Sequence, residues 1–95
     1  MNQVTKMNKN ILIAMDHENR SKEELKKNLD AAYEAAVAVR AAYAAAVRAD
    51  SACYAAKYAT LPFLAANTEY WIDEYFQITG EDKEEYEKAL KEMRE

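Results

Sequence analysis

The sequence predicts a small all-α domain, and three observations predict it. Nineteen of its 95 residues are alanine, the best helix former, while one is glycine and one is proline. A β-sandwich or barrel needs a turn about every ten residues, and one Gly with one Pro does not supply those turns. The third observation is Ser21-Lys22-Glu23-Glu24. This is a capping box, in which a serine hydroxyl and a glutamate carboxylate satisfy each other's orphan backbone donors at a helix start. At this length the chain is a single domain, 1–95.

The elements follow in order. Val4, Met7, Ile11 and Met15 recur at helical spacing and predict a short N-terminal helix. Ile11-Leu12-Ile13 also fits a strand, but a lone strand has no partner within this chain. From the capping box at 21 nothing stops the next helix until Leu61-Pro62, because proline disfavours helical geometry before it and lacks an amide donor. A long central helix, about 21–61 and ~60 Å in length, is therefore expected. Phe63, Leu64, Tyr70, Trp71, Tyr75 and Ile78 define a third helix, opened by Pro62 and closed at Gly80. Thr79 and Asp82 restart the chain in a fourth, where Tyr86, Leu90 and Met93 form a narrow apolar stripe.

On a helical wheel Leu25, Leu29, Tyr33, Tyr43, Val47, Tyr54, Tyr58 and Leu61 share one sector, the expected packing face of the long helix. The opposite side carries Ala35, Ala38, Ala42, Ala45, Ala46, Ala49, Ala52, Cys53 and Ala56, so it is no solvated face. Rows of alanine let helix backbones approach closely. Two flanking helices of about 16 residues do not cover a ~60 Å rod on both sides. A helical hairpin or bundle completed by oligomerisation is the expected architecture, with Ala35, Ala38, Ala42, Ala45, Ala49, Ala52 and Ala56 as the self-association face.

The net charge of −4 and pI near 5.1 argue against non-specific nucleic-acid binding, which needs a basic face to release phosphate counterions. Charge is uneven: residues 1–66 carry +2 and 67–95 carry −6. Arg40, Arg48, Asp50 and Lys57 interrupt the only long apolar region, so no membrane span is expected. The N-terminal apolar run is too short for a secretory signal, and a lone Cys53 suits a reducing compartment, so a cytoplasmic location is expected.

Arg40 fits the wheel worst, since it falls in the bulky sector near Tyr33, Tyr43 and Ser51. A buried guanidinium must find an anionic or carbonyl partner. One reading is a structural ion pair with Asp50 or Asp30 of a neighbouring copy. The other is an anionic ligand held by Arg40 and bracketed by tyrosines, with Arg48 and Lys57 extending the site in an oligomer. Tyr70, Trp71, Tyr75 and Phe76 form the candidate partner-binding patch, because neighbouring aromatics do not all face one core. His17, between Asp16 and Glu18, lacks a second His or Cys to complete a metal set and reads as a capping or surface residue. Cys53 has no histidine nearby to activate it, and the Glu23-Glu24 and Glu84-Glu85 pairs read as helix-surface charge. No catalytic residue, metal or cofactor is expected.

The segments AAYEAAVAVRAAYAAAVRADSACYAAKYA and EYWIDEYFQITGEDKEEYEKAL resemble the small Ala/Tyr-rich helical accessory proteins of tailed bacteriophages, over roughly residues 30 to 90. The resemblance implies host takeover or defence evasion by a protein that acts through binding. Two functions are weighed: a counter-defence inhibitor, for example of a CRISPR or restriction component, that occludes a host protein through an aromatic or acidic surface, and an oligomeric sponge that sequesters a small nucleotide signal between helices. A purely structural oligomer is the third.

Overall fold

Asn8 starts the described part of the fold by accepting from the backbone N–H groups of Asn10 and Ile11 at 2.9 and 3.2 Å, which caps helix α1, Lys9–Met15. The computed structural model describes residues 7–94. Ile11, Leu12 and Ala14 are buried, so the ambiguous apolar run is a helix driven into the core; Val4 lies outside the described residues. A single 3₁₀ turn, His17–Asn19, leads to helix α2, Lys22–Ala38. Its capping box forms as predicted: Glu24 N–H donates to the Ser21 hydroxyl and Ser21 N–H to the Glu24 carboxylate, both at 3.1 Å.

The long helix is the main correction. The chain breaks at residues 39–42 and resumes as α3, Tyr43–Ala59, so the predicted single helix over 21–61 is two helices of 17 residues that pack along each other. Short turn bonds mark the reversal, Arg40 N–H to the Val37 carbonyl at 3.3 Å and Ala42 N–H to Val39 at 3.0 Å. No residue type there forbids a helix, so tertiary burial decides. Interrupting one turn forfeits a few hydrogen bonds, each of about 1 kcal/mol net. Folding back lets Leu25, Ile11, Leu12 and Ile72 share one core, and each fully buried aliphatic side chain contributes about 1.5–3 kcal/mol. Burial wins over helix continuity. A ~60 Å rod would also exceed the longest dimension of the molecule, 38 Å.

Downstream the punctuation is as expected. Leu61 is extended before Pro62, a 3₁₀ turn spans Pro62–Leu64, and α4 runs Ala65–Thr79 to Gly80, whose φ of +73° is the left-handed cap that favours glycine. Asp82 accepts from Glu84 N–H at 2.9 Å and opens α5, Lys83–Arg94. Among the described residues there is no strand.

The core draws on both faces of the wheel: Leu25 of the bulky sector is buried, and so are Ala52 and Ala56 of the alanine side. Ala32, Ala36, Ala52, Ala55, Ala56 and Ala59 are buried, whereas Tyr33, Tyr43 and Tyr54 of the bulky sector are 57%, 84% and 43% exposed. Small residues face inward because α1 and the aromatic helix α4 press directly on α3, and only alanine leaves room for them. Tyr75, Phe76 and Tyr86 fill the remaining space with edge-to-face contacts, ring centroids 5.4 and 4.8 Å apart. Of the predicted self-association alanines, Ala52 and Ala56 are therefore used inside the chain, Ala45 and Ala49 are half-buried, and Ala35, Ala38 and Ala42 are exposed.

Candidate functional site

Helices α2 and α3 are joined by four residues and so lie antiparallel. Their outer rims enclose a groove of about 390 Å³. From α2 and its end come Leu29, Tyr33, Ala36 and Arg40, spaced by four, three and four residues; from α3 come Asp50, Cys53, Tyr54 and Lys57, spaced by three, one and three. Each set is one helix face. The volume lies at the small end of the range for ligand pockets, roughly 300–1,000 Å³.

Three of the six predicted anion-site residues, Arg40, Tyr33 and Lys57, thus meet within a single chain, although Lys57 had been expected to join only through an oligomer. The reversal at 39–42 brings together positions that a continuous helix would hold far apart. The other three do not line the groove. Ser51 is buried and donates to the Val47 carbonyl at 3.1 Å, and Tyr43 and Arg48 are exposed elsewhere. Tyr54, Leu29 and Cys53 were missed as site residues because the wheel treated them as packing or alanine-face positions.

Among the described residues the ion pairs within 4 Å are Arg20 with Asp16 and Glu24, Lys83 with Asp73, and Arg94 with Asp16. Neither cation of the groove is paired in that set, nor is Asp50. The groove therefore holds two cations and one carboxylate, all exposed, beside two tyrosine rings. Burial pushes the Cys53 thiol up, Asp50 adds to the rise and Lys57 opposes it, so the thiol stays protonated at neutral pH.

The aromatic patch is split. Tyr75 and Phe76 are buried in the core, contrary to the expectation that adjacent aromatics must leave it, because α4 is flanked on two sides. Trp71 is half-buried and Tyr70 is 56% exposed. Tyr54 stacks on Trp71 with centroids 4.6 Å apart and planes 25° apart, and Tyr70 meets Trp71 edge-on at 5.2 Å. An aromatic strip consequently leads from the groove across α3 onto α4.

Two polar clusters hold the ends of the fold together. Arg20 Nε at 2.8 Å, Arg94 Nε at 3.0 Å and Asn19 Nδ2 at 3.1 Å all donate to the buried carboxylate of Asp16. Burial opposes ionisation of Asp16, but hydrogen bonds from Arg94, Arg20 and Asn19 outweigh it and hold the carboxyl below its ordinary value. In the second cluster Tyr75 donates to Glu81 at 2.9 Å, Tyr86 donates to the other Glu81 oxygen, and Asn8 N–H donates to the Tyr86 oxygen at 2.9 Å. Burial, then the Glu81 hydrogen bond, pushes Tyr86 up to about 12; burial and the same neighbours raise Tyr75 as well. Buried Asn28 donates to the Asn10 carbonyl at 3.1 Å and accepts from Asn10 Nδ2 at 2.9 Å, tying α1 to α2.

Half-buried His17 lies beside a second depression with Arg20 and Lys22. Among the described residues no three His, Cys, Asp or Glu side chains gather closely enough to hold a metal ion, and no helix is long and apolar enough to cross a membrane. The chain matches no family model, and comparison with curated proteins and with solved structures returns no match.

Proposed function

We propose that the protein acts by binding rather than by catalysis, and that the groove between α2 and α3 takes a small anion bearing an aromatic ring, a ligand of the nucleotide class. The observation that carries this reading is the convergence of Arg40 and Lys57 with Tyr33 and Tyr54 around about 390 Å³. Unpaired guanidinium and ammonium groups attract phosphate, and tyrosine faces stack on bases whatever their sequence. The resemblance to phage accessory proteins supplies the setting, sequestration of a nucleotide signal in the cytoplasm of an infected host. Titration of nucleoside monophosphates into the protein tests it. Arg40→Ala should abolish binding while the far-ultraviolet circular dichroism is unchanged, because Arg40 is exposed and outside the core.

Occlusion of a host protein is the second reading, favoured by the strip of Tyr54, Trp71 and Tyr70 at the surface. Capture of a stoichiometric host protein, lost on Tyr70→Ala but not on Arg40→Ala, would favour it over nucleotide sequestration. Self-association belongs to either reading. Its support is the small-residue surface of Ala35, Ala38 and Ala42 next to Tyr43, which is 84% exposed. Sedimentation at micromolar concentration should reveal an oligomer, and a clean monomer would remove this element.

A further inference from the structure

Two tyrosines line the groove, and only one of them is held by another ring. Tyr54 of α3 lies on Trp71 of α4 with centroids 4.6 Å and planes 25° apart, the offset-stacked geometry of an attractive aromatic pair. Trp71 is itself fixed from behind. It is half-buried against the hydrophobic core, and Tyr70 meets it edge-on at 5.2 Å with planes 89° apart. Tyr33 is exposed on α2, and among the described residues no aromatic ring lies against it.

An aromatic ring has two faces. Trp71 covers one face of Tyr54, so a base that stacks on Tyr54 takes the other and becomes the third ring of a column that begins at the core. An exposed tyrosine that is free to turn must be immobilised when a ligand binds, and that ordering costs affinity. Tyr54 has lost this freedom before a ligand arrives, because leaving its rotamer would break the contact with the indole. Tyr33 has no such restraint. The groove therefore has one preorganised stacking surface, Tyr54, and one adaptable ring, Tyr33. Trp71 is not among the side chains that line the groove, so what it contributes there passes through Tyr54.

We infer that Trp71 is a positioning residue for ligand binding. It holds the Tyr54 ring at the groove wall, and through that ring it favours ligands that carry a flat aromatic base over equally charged ligands that lack one. This rests on the nucleotide reading of the groove and assigns recognition of the base to Tyr54 backed by Trp71, while Arg40 and Lys57 serve the phosphate. It also joins α4 to a site whose lining comes from α2, α3 and the turn between them.

Calorimetric titration of GMP, and of ribose phosphate as the same anion without a base, into the full chain tests the assignment. The variants are Trp71→Leu, Trp71→Phe, Tyr54→Leu and Tyr33→Leu. The wild-type chain should bind GMP about fivefold or more tightly than ribose phosphate, the contribution of one stacked base. Trp71→Leu should weaken GMP by roughly two- to tenfold, the equivalent of one side chain immobilised on binding, and leave ribose phosphate unchanged. Trp71→Phe keeps a ring behind Tyr54 and should return GMP to within about twofold of the wild-type affinity. Tyr54→Leu should cost GMP more than Tyr33→Leu does. Both tyrosines are exposed, so this comparison decides the matter even where Trp71→Leu does not fold. Equal losses from the two tyrosine variants, or a folded Trp71→Leu chain with wild-type affinity for GMP, would overturn the positioning role and leave the nucleotide groove standing. Equal weakening of GMP and ribose phosphate by Trp71→Leu would also overturn it, since the indole would then only support the fold. Ribose phosphate bound as tightly as GMP by the wild-type chain would overturn stacking on Tyr54, and absence of GMP binding would overturn the nucleotide reading together with this one.

Discussion

Replacing Ala42 with aspartate should stabilise the protein, and the sign of the effect distinguishes a hairpin from a continuous helix. Ala42 is the N-cap of α3, with extended backbone at φ −105° and ψ 107°, and no side chain caps that end. Alanine is among the poorest N-caps because it offers no acceptor to the orphan N–H groups of the first turn. An aspartate there accepts from the second or third residue of α3 and contributes about 1 kcal/mol. Its charge at the positive end of the helix dipole adds roughly 0.3–1 kcal/mol more. Ala42 is exposed, so the longer side chain meets no packing penalty. For a chain of this size each kcal/mol raises Tm by about 4–8 °C. In an uninterrupted helix over 21–61 the same substitution would put a weak helix former in the interior and cost roughly 0.5–0.7 kcal/mol. Urea denaturation followed by circular dichroism measures the difference, provided the slope is unchanged. Ala42→Ser is the uncharged control, with the same sign and a smaller gain. A lower denaturation midpoint for both variants would refute the break at 39–42.

Three further substitutions test the two polar clusters and the glycine cap of α4. Asp16→Asn should cost about 1–2 kcal/mol, less than a fully buried ion pair because Arg20 and Arg94 keep access to water once released. Since the folded carboxyl titrates below its ordinary 3.8, the stability it adds is complete above that value and drains away as the pH falls through the lower folded value; the wild-type and Asp16→Asn denaturation midpoints should converge in acid. Tyr86→Phe leaves Glu81 and the Asn8 N–H short of a partner and should cost about 1–3 kcal/mol by urea denaturation. With its folded value raised from 10.0 to about 12, Tyr86 holds its proton longer when folded, so wild-type stability should fall as the pH rises above 10 and the variant should fall less steeply. Gly80→Ala should lower stability by about 1–2 kcal/mol through backbone strain alone, because φ is +73° and nothing lies within 4 Å of an added Cβ.

Local chemistry made the element ends legible. The Ser21 to Glu24 capping box, the stop before Pro62 and the left-handed Gly80 each depend on residues within a few positions, and each forms where those residues stand. The break at 39–42 carries no such mark, since Val39-Arg40-Ala41-Ala42 would be comfortable in a helix. It arises from burial that exists only after the chain folds back. The wheel then misassigned faces for the same reason: with one straight helix the bulky residues look like the core, whereas in a hairpin the alanines allow close approach and Tyr33 and Tyr54 are left at the groove rim. Arg40 was conspicuous as a charged residue among large apolar ones, but its companions Lys57 and Asp50 come from the far side of the turn. The reciprocal Asn10 and Asn28 contact and the Arg94 contact to Asp16 had no local signal at all, because their partners lie 18 and 78 residues away, whereas Asn19 and Arg20 sit three and four residues from Asp16.

The most direct test of a nucleotide-binding groove is calorimetric titration of GMP into the wild-type chain and into Arg40→Ala. The wild-type chain should give a saturable isotherm that is lost in the folded variant. An isotherm unchanged by Arg40→Ala, or no heat of binding in the wild-type chain, would contradict it.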